Sequence, residues 1–185
     1  MTAPPATPTA RYRRAGPEDA PAIAALHADS WRRHYRGVFR DEYLDGPILE
    51  ERVEVWTARL AHPIDSTHTV VAEAGGVVLG FVHVVLDADS RWGALLDNLH
   101  VRHDLQRSGI GRGLMAQAAT AVVDRRPGAA MHLWVLVQNT QGQAFYRALG
   151  GEEADREVSE PPGGGSVTGI RYVWPDPKGL LLPTR

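Results

Sequence analysis

No cysteine occurs anywhere in the 185-residue chain. That excludes disulfides, thiolate nucleophiles and thiolate metal sites, and it agrees with a cytoplasmic setting. No apolar run reaches the ~18 residues of a membrane span, so no membrane partner is expected. Charge of one sign is also missing: 20 Lys and Arg stand against 22 Asp and Glu, a formal balance of −2. With no global field, attraction to nucleic acid is not expected either. The opening "MTAPPATPTA" lacks the apolar core of a signal peptide and reads as a disordered tail over residues 1–10. Internal repeats are absent.

What is present is an ordinary globular composition, 43% hydrophobic and 23% charged, in a length that fits one domain. That domain is placed at 11–175, with a C-terminal tail at 176–185. A short strand precedes the turn at Gly16-Pro17, and Ile23, Leu26 and Trp31 then recur at near-helical spacing from about Glu18. In "ILEERVEVWTARLAH", Leu49, Val53, Trp56 and Leu60 repeat as one helical face, which stops before Pro63. The period then changes. "THTVVAEAGGVVLGFVHVVLD" reads as a β-hairpin turning at Gly75-Gly76, and a strand follows from Ala94 to Val101. Ile110, Leu114, Ala118 and Ala121 share a helical face, and Met131 to Val137 is a strand apolar on both sides. "TQGQAFYRALGG" gives a short helix with Ala144, Phe145 and Leu149 on one face, ended by its glycines. "EADREVSE" and "SVTGIRYVWP" are two late strands around the loop "PPGGGS". The order is α/β, with a βαβ unit in the second half.

The stretch "QRSGIGRG", Gln106 to Gly113, lies between a strand and a helix. The first N–H groups of a helix lack internal partners, and the helix dipole places partial positive charge there. Glycines let the main chain approach a ligand, so the stretch suits pyrophosphate, with Arg107 and Arg112 adding charge-assisted contacts. A Walker loop would need Lys-Ser/Thr after its last glycine, and none is there. The spacing Gly109-x-Gly111-x-Gly113 also departs from the dinucleotide fingerprint. A crowded helix start, with glycines that only relieve packing, is the alternative.

"QRSGIG" resembles the Q/R-x-x-G-x-G/A signature of the GNAT N-acetyltransferases. "LLDNLHVRHDLQRSGIGRGLM" is similar to that family's strand-loop-helix cofactor segment, and "LWVLVQNTQGQAFYRALGG" resembles its second segment. Gly150-Gly151 stands where Gly-Phe is commoner in the family. The resemblance implies the GNAT fold: a mixed, mostly antiparallel sheet with a splayed central parallel pair, flanked by helices. It implies acetyl-CoA as co-substrate and no metal. Main-chain contacts are expected from Leu99 and Val101, and pyrophosphate contacts from Gln106, Arg107, Ser108, Gly109, Ile110, Gly111, Arg112 and Gly113. Asn139 is expected near the cofactor.

By the same resemblance, an amine attacks the thioester directly and Tyr146 protonates the departing thiolate, as a phenol with pKa of about 10 can at neutral pH. Asp97 is the candidate base. Strand alternation puts it on the face of Leu99 and Val101. His83 and His100 are alternatives, and so is ordered water. Trp31 and Tyr35, with His34, Phe39, Tyr43 and Trp56 nearby in the chain, are expected around the acceptor, a small-molecule or peptide amine. The loop "SEPPGGGS" is a candidate cover. A non-catalytic acyl-CoA-binding module is the competing reading, and a homodimer is left open.

Overall fold

In the computed structural model of the chain, residues 9–160 and 164–181 are described. The alternating segment near the middle forms the spine of a seven-stranded sheet. Its strands are β1 (Arg11–Arg14), β2 (Thr67–Ala74), β3 (Val77–Asp89), β4 (Gly93–Val101), β5 (Met131–Leu136), β6 (Glu152–Ser159) and β7 (Val167–Trp174). They lie in the order β1-β2-β3-β4-β5-β7-β6. All neighbours are antiparallel except β4 and β5, which are parallel. That agrees with the mixed, mostly antiparallel sheet expected. The β2–β3 hairpin turns at Gly75 and Gly76, both at positive φ, where glycine carries no Cβ penalty.

Helices cover both faces. On one side runs α1 (Ala20–His34), then α2 (Asp41–Asp45) and α3 (Ile48–Ala61). Ile23, Ala24, Trp56 and Leu60 pack there on Val71 and Phe81. On the other side is α4 (Ile110–Arg125), whose Leu114, Met115, Ala118 and Val122 meet Val82, Val84, Leu96, Leu133 and Tyr172. The short helix α5 (Thr140–Ala148) closes the second βα unit.

Several expectations change. The face of α3 is carried by Ile48, fully buried, while Leu49 is 37% exposed. The rest of the predicted stripe holds, with Val53, Trp56 and Leu60 packed towards Val71 and Phe81, whereas Ile48 turns to Leu44, Phe39 and Val167. In α5, Ala144 is exposed. The buried position goes to Gln143, whose Nε2 donates to the carbonyls of Leu136 at 3.2 Å and Val137 at 2.7 Å. The five-residue helix α2 exposes Asp41, Glu42 and Asp45 and buries Leu44 completely. Beyond Pro175, a 3-10 turn at Pro177–Leu180 packs Leu180 against the main core, so ordered packing continues into the segment expected as a tail. Part of the loop "SEPPGGGS" lies outside the described residues, as do residues 1–8 of the N-terminal tail.

Two features of the sheet position the site. Strands β4 and β5 pair only at Ala94–Met131 and Leu95–His132 and then part. The bulge in β4 is the second. His83 of β3 faces Asn98, yet Val84 faces Leu96, so Asp97 is an extra residue in the strand.

Candidate active site

A cavity of about 580 Å³ opens where β4 and β5 part. Beyond Leu95 and His132, main-chain groups on the facing edges of these strands have no ladder partner in each other. Unpaired N–H and C=O groups favour a ligand with amides of its own. Leu99 and Val101 flank this gap from β4, and Val135 and Leu136 from β5.

At one end the chain turns from β4 into α4. Arg107 sits at φ 63 and Gly109 at φ 90, so two left-handed residues bracket Ser108. Such alternation turns successive N–H groups to one side and forms an anion-binding concavity. A Cβ built on Gly109 meets nothing within 4 Å, and one on Gly111 touches Phe145 at 3.4 Å. Both glycines line the cavity, as do Leu105, Gln106, Arg107 and Arg112.

One predicted pyrophosphate residue is placed otherwise, and two more take part through the main chain alone. The N–H of Gly113 already donates to Gly109 O at 3.0 Å, and its Cβ position lies 1.9 Å from Tyr12 Oη. Gly113 is therefore small so that β1 can approach α4. The Ser108 hydroxyl donates to Leu105 O at 2.5 Å, and the Ile110 side chain is buried in the core. Neither side chain lines the cavity, although the N–H groups of both belong to the turn.

Tyr146 and Asn139 lie on the β5 side. Asn139 caps α5, its Oδ1 accepting from the Gly142 N–H at 2.8 Å, and it also lines the cavity. Tyr146 rests on Tyr172 and Trp174 at 6.1 Å between ring centroids, with Phe145 at 5.3 Å. Burial pushes its phenol up, and the nearby Tyr35 pushes it further the same way. The hydroxyl therefore stays protonated through neutral pH. Tyr35, itself raised by burial, comes to this cavity from α1 together with Trp31.

Asp97 lines the cavity too, but on the other face of β4 from the one alternation predicts. The bulge turns it towards α3, where Arg59 Nη1 donates to Oδ2 at 3.0 Å, and Asn98 Nδ2 donates to the same oxygen at 2.6 Å. Leu99 and Val101 instead pack on the α4 side.

The floor holds a polar arrangement that the sequence left unassembled. His100 Nδ1 lies 2.8 Å from Ser30 Oγ, and both residues line the cavity. Behind it is His27, with ring centroids 4.7 Å apart. Trp56 Nε1 donates to His27 Nδ1 at 3.0 Å, which leaves the proton of neutral His27 on Nε2. Burial, helped by His34, lowers His100 to about 3. Burial and the neighbouring His100, Arg52 and Arg59 hold His27 far below the ordinary histidine range. His83, bonded to Thr69 Oγ1 at 2.7 Å, is lowered to about 4 by burial and by Arg59. It does not line the cavity. Trp134 of β5 does, and went unnoticed because the predicted strand was apolar on both faces. The face carrying His132, Trp134 and Leu136 could have been separated by alternation alone.

Comparison with known proteins fits this geometry. Residues 24–150 match the model of the acetyltransferase (GNAT) family. The chain is 30% identical over 177 residues to the probable N-acetyltransferase Rv2775 of Mycobacterium tuberculosis, covering 94% of this chain and 89% of that one. It is 27% identical over 171 residues to the uncharacterised N-acetyltransferase YuaI of Bacillus subtilis, covering 89% and 92%. Among solved structures, the PaiA N-acetyltransferase of Thermoplasma acidophilum in complex with coenzyme A shares the fold. Its TM-score is 0.68 at 20% identity, covering 90% of this chain and 99% of that one.

Proposed function

The chain belongs to the acetyltransferase (GNAT) family, and we propose that it transfers an acetyl group from acetyl-CoA to a primary amine of a small molecule or peptide by direct attack. The observation that carries this reading is the opened β4–β5 pair, which meets the α4 turn at one end and Tyr146 along its side, all in one cavity. The residues present fit the co-substrate. N–H groups from Arg107 to Arg112 and the two arginines receive the pyrophosphate. The main chain of Leu99 and Val101 pairs with the amides of the pantetheine arm, as an added strand would.

In the proposed reaction, the amine lone pair forms a C–N bond at the thioester carbonyl and the C–S bond breaks. Tyr146 gives its phenolic proton to the leaving sulfur. Its raised pKa keeps that proton available at neutral pH, and burial disfavours a lasting phenolate, so reprotonation follows from the amine through water. Asp97, 31% exposed and open to solvent on the acceptor side, relays the amine proton directly or through a water. His100 is unsuited as a base, because a histidine lowered to about 3 holds a proton weakly at neutral pH.

Thiol release with an amine panel, run beside a CoA-binding titration, tests the reading. Tyr146→Phe is expected to lower kcat about 100-fold and to change acetyl-CoA affinity less than about threefold. Asp97→Asn is expected to lower kcat/KM about tenfold, most strongly below the amine's pKa. Unchanged turnover in Tyr146→Phe would sink the acid assignment. Tight CoA binding with no turnover on any amine would favour a binding module instead.

A further inference from the structure

The acceptor end of the cavity is walled by rings from distant parts of the chain. Trp31 and Tyr35 come from α1, and Trp134 from β5. Each is held in place. Trp31 stands edge-on to Phe39 at 5.4 Å and to His27 at 4.7 Å, and carries the Arg52 guanidinium over its ring at 4.8 Å. Tyr35 lies against Phe39 at 4.6 Å. Trp134 is set between its two neighbours on β7. The guanidinium of Arg171 stacks on it at 4.2 Å, and a Cβ on Gly169 would come within 3.1 Å of its ring. Arg171 is only 8% exposed and continues the stack to Trp92 at 5.1 Å. Trp134 is therefore a fixed wall.

Charge at this end is already neutralised. Asp97 is the one carboxylate among the described residues that line the cavity, and Arg59 and Asn98 share its Oδ2. Behind Trp31, Arg52 is paired with Glu51 at 2.5 Å, and Tyr43 also donates to that carboxylate. The floor is Ser30 bonded to a neutral His100. The two cavity-lining arginines, Arg107 and Arg112, sit at the α4 turn instead. A polycation would find no free counter-charge here, with Arg52 stacked behind Trp31 and Arg59 paired to Asp97. A flat apolar group would find aromatic rings and would desolvate no unpaired charge.

We infer that the acceptor subsite is an uncharged aromatic slot bounded by Trp31, Tyr35 and Trp134. It takes a primary monoamine carried on an aryl or similarly flat apolar body in preference to a polyamine. The slot orients the ring, and the Ser30–His100 pair faces the amine. This inference rests on the acetyl-transfer reading above and names its acceptor class.

The test uses the full chain with saturating acetyl-CoA and four probes: 2-phenylethylamine, tryptamine, 1,4-diaminobutane and spermidine. The expected kcat/KM for the aryl amines is about tenfold above that for the two polyamines, the scale of one aromatic contact. In Trp134→Leu, checked for folding by thermal unfolding, the ratio is expected to shrink to under about threefold. Polyamines used as well as or better than aryl amines by the unmodified protein would overturn the slot, whatever the variant does. If no probe releases thiol, the acetyl-transfer reading is decided by the amine panel above. The slot is then judged by calorimetric titration of 2-phenylethylamine into CoA-saturated protein. Binding that weakens at least about fivefold in Trp134→Leu supports it, and no binding overturns it.

Discussion

Mild acid should destabilise this protein well before its carboxylates titrate. Three histidines, His27, His83 and His100, are neutral in the folded state because burial opposes their charged forms. Their neighbours do not reverse that. His27 faces His100, Arg52 and Arg59; His83 faces Arg59, His68 and one opposing carboxylate, Asp97; His100 faces His34. In the unfolded chain a histidine titrates near 6.5. Each folded pKa is lowered, so the unfolded state binds more protons as pH falls. The stability that neutrality confers is fully present above about pH 6.5 and is lost below it, towards 4 for His83 and 3 for His100.

At pH 5 an unfolded histidine is about 97% protonated, and the difference is worth roughly 2 kcal/mol per residue. His83 and His100 together give about 4 kcal/mol, a large part of the 5–15 kcal/mol of a typical domain. His27 acts in the same direction. Buried carboxylates do not confuse this window. Asp19, bonded through both oxygens to Arg13, is lowered from its ordinary value and matters only in stronger acid. Urea unfolding followed by tryptophan fluorescence at pH 7.5, 6.5, 5.5 and 5.0 measures the effect. The expected slope between the last two approaches 1.4 kcal/mol per pH unit for each histidine. His83→Gln, which keeps an acceptor for Thr69 Oγ1, should remove about one histidine's share. A stability at pH 5.0 within about 1 kcal/mol of that at pH 7.5 would refute the assignment of these groups as neutral and buried.

The glycine turn gives two contrasts. Gly111→Val fills the cavity beside Phe145 and should weaken acetyl-CoA binding at least about 100-fold by calorimetry while the melting temperature stays close to that of the unmodified chain. Gly113→Ala drives a Cβ onto Tyr12 Oη and should do the reverse, lowering stability by about 1–3 kcal/mol with little change in affinity. Arg107→Gly separates charge from backbone shape. Relief of about 1–2 kcal/mol at a left-handed residue is about half offset by about 0.5–1 kcal/mol of added chain freedom, so stability should rise by no more than about 1 kcal/mol. Acetyl-CoA affinity should still fall about tenfold through the lost guanidinium contact, and unchanged affinity would remove Arg107 from the site.

Periodicity made most of the fold legible because most of its elements obey one period. The β-branched runs of residues 67–89 are buried on both faces and are marked by composition and the Gly75-Gly76 turn, while the stripe Ile110, Leu114, Ala118, Ala121 is set by one buried helical face. Legibility ended where two faces or two elements compete. In α3 both Ile48 and Leu49 could start the stripe, and packing against Leu44, Phe39 and Val167 from distant parts of the chain decides for Ile48. The helix α2 is too short for a period and is held by one side chain, Leu44, in a pocket made by other elements.

The site divides along the same line. One part of the cavity lies in a single strand-turn-helix, so neighbouring residues in sequence are neighbours in space, and the turn "QRSGIGRG" that lines it stands out in the sequence. The part proposed above for the acceptor is assembled from residues 30–35, 97–100 and 134, which no local pattern connects. Asp97 shows the cost of assuming regularity there. Strict alternation would leave it beside Leu99, facing α4, whereas one inserted residue turns it to Arg59 on the α3 side. The bulge thus does two things at once. It places the cavity's carboxylate on the face opposite Leu99 and Val101, and it gives that carboxylate a cationic partner there. A regular β4 would have kept the parted strands and the α4 turn and lost this pairing, which is why the turn is legible in the sequence and the partner of Asp97 is not.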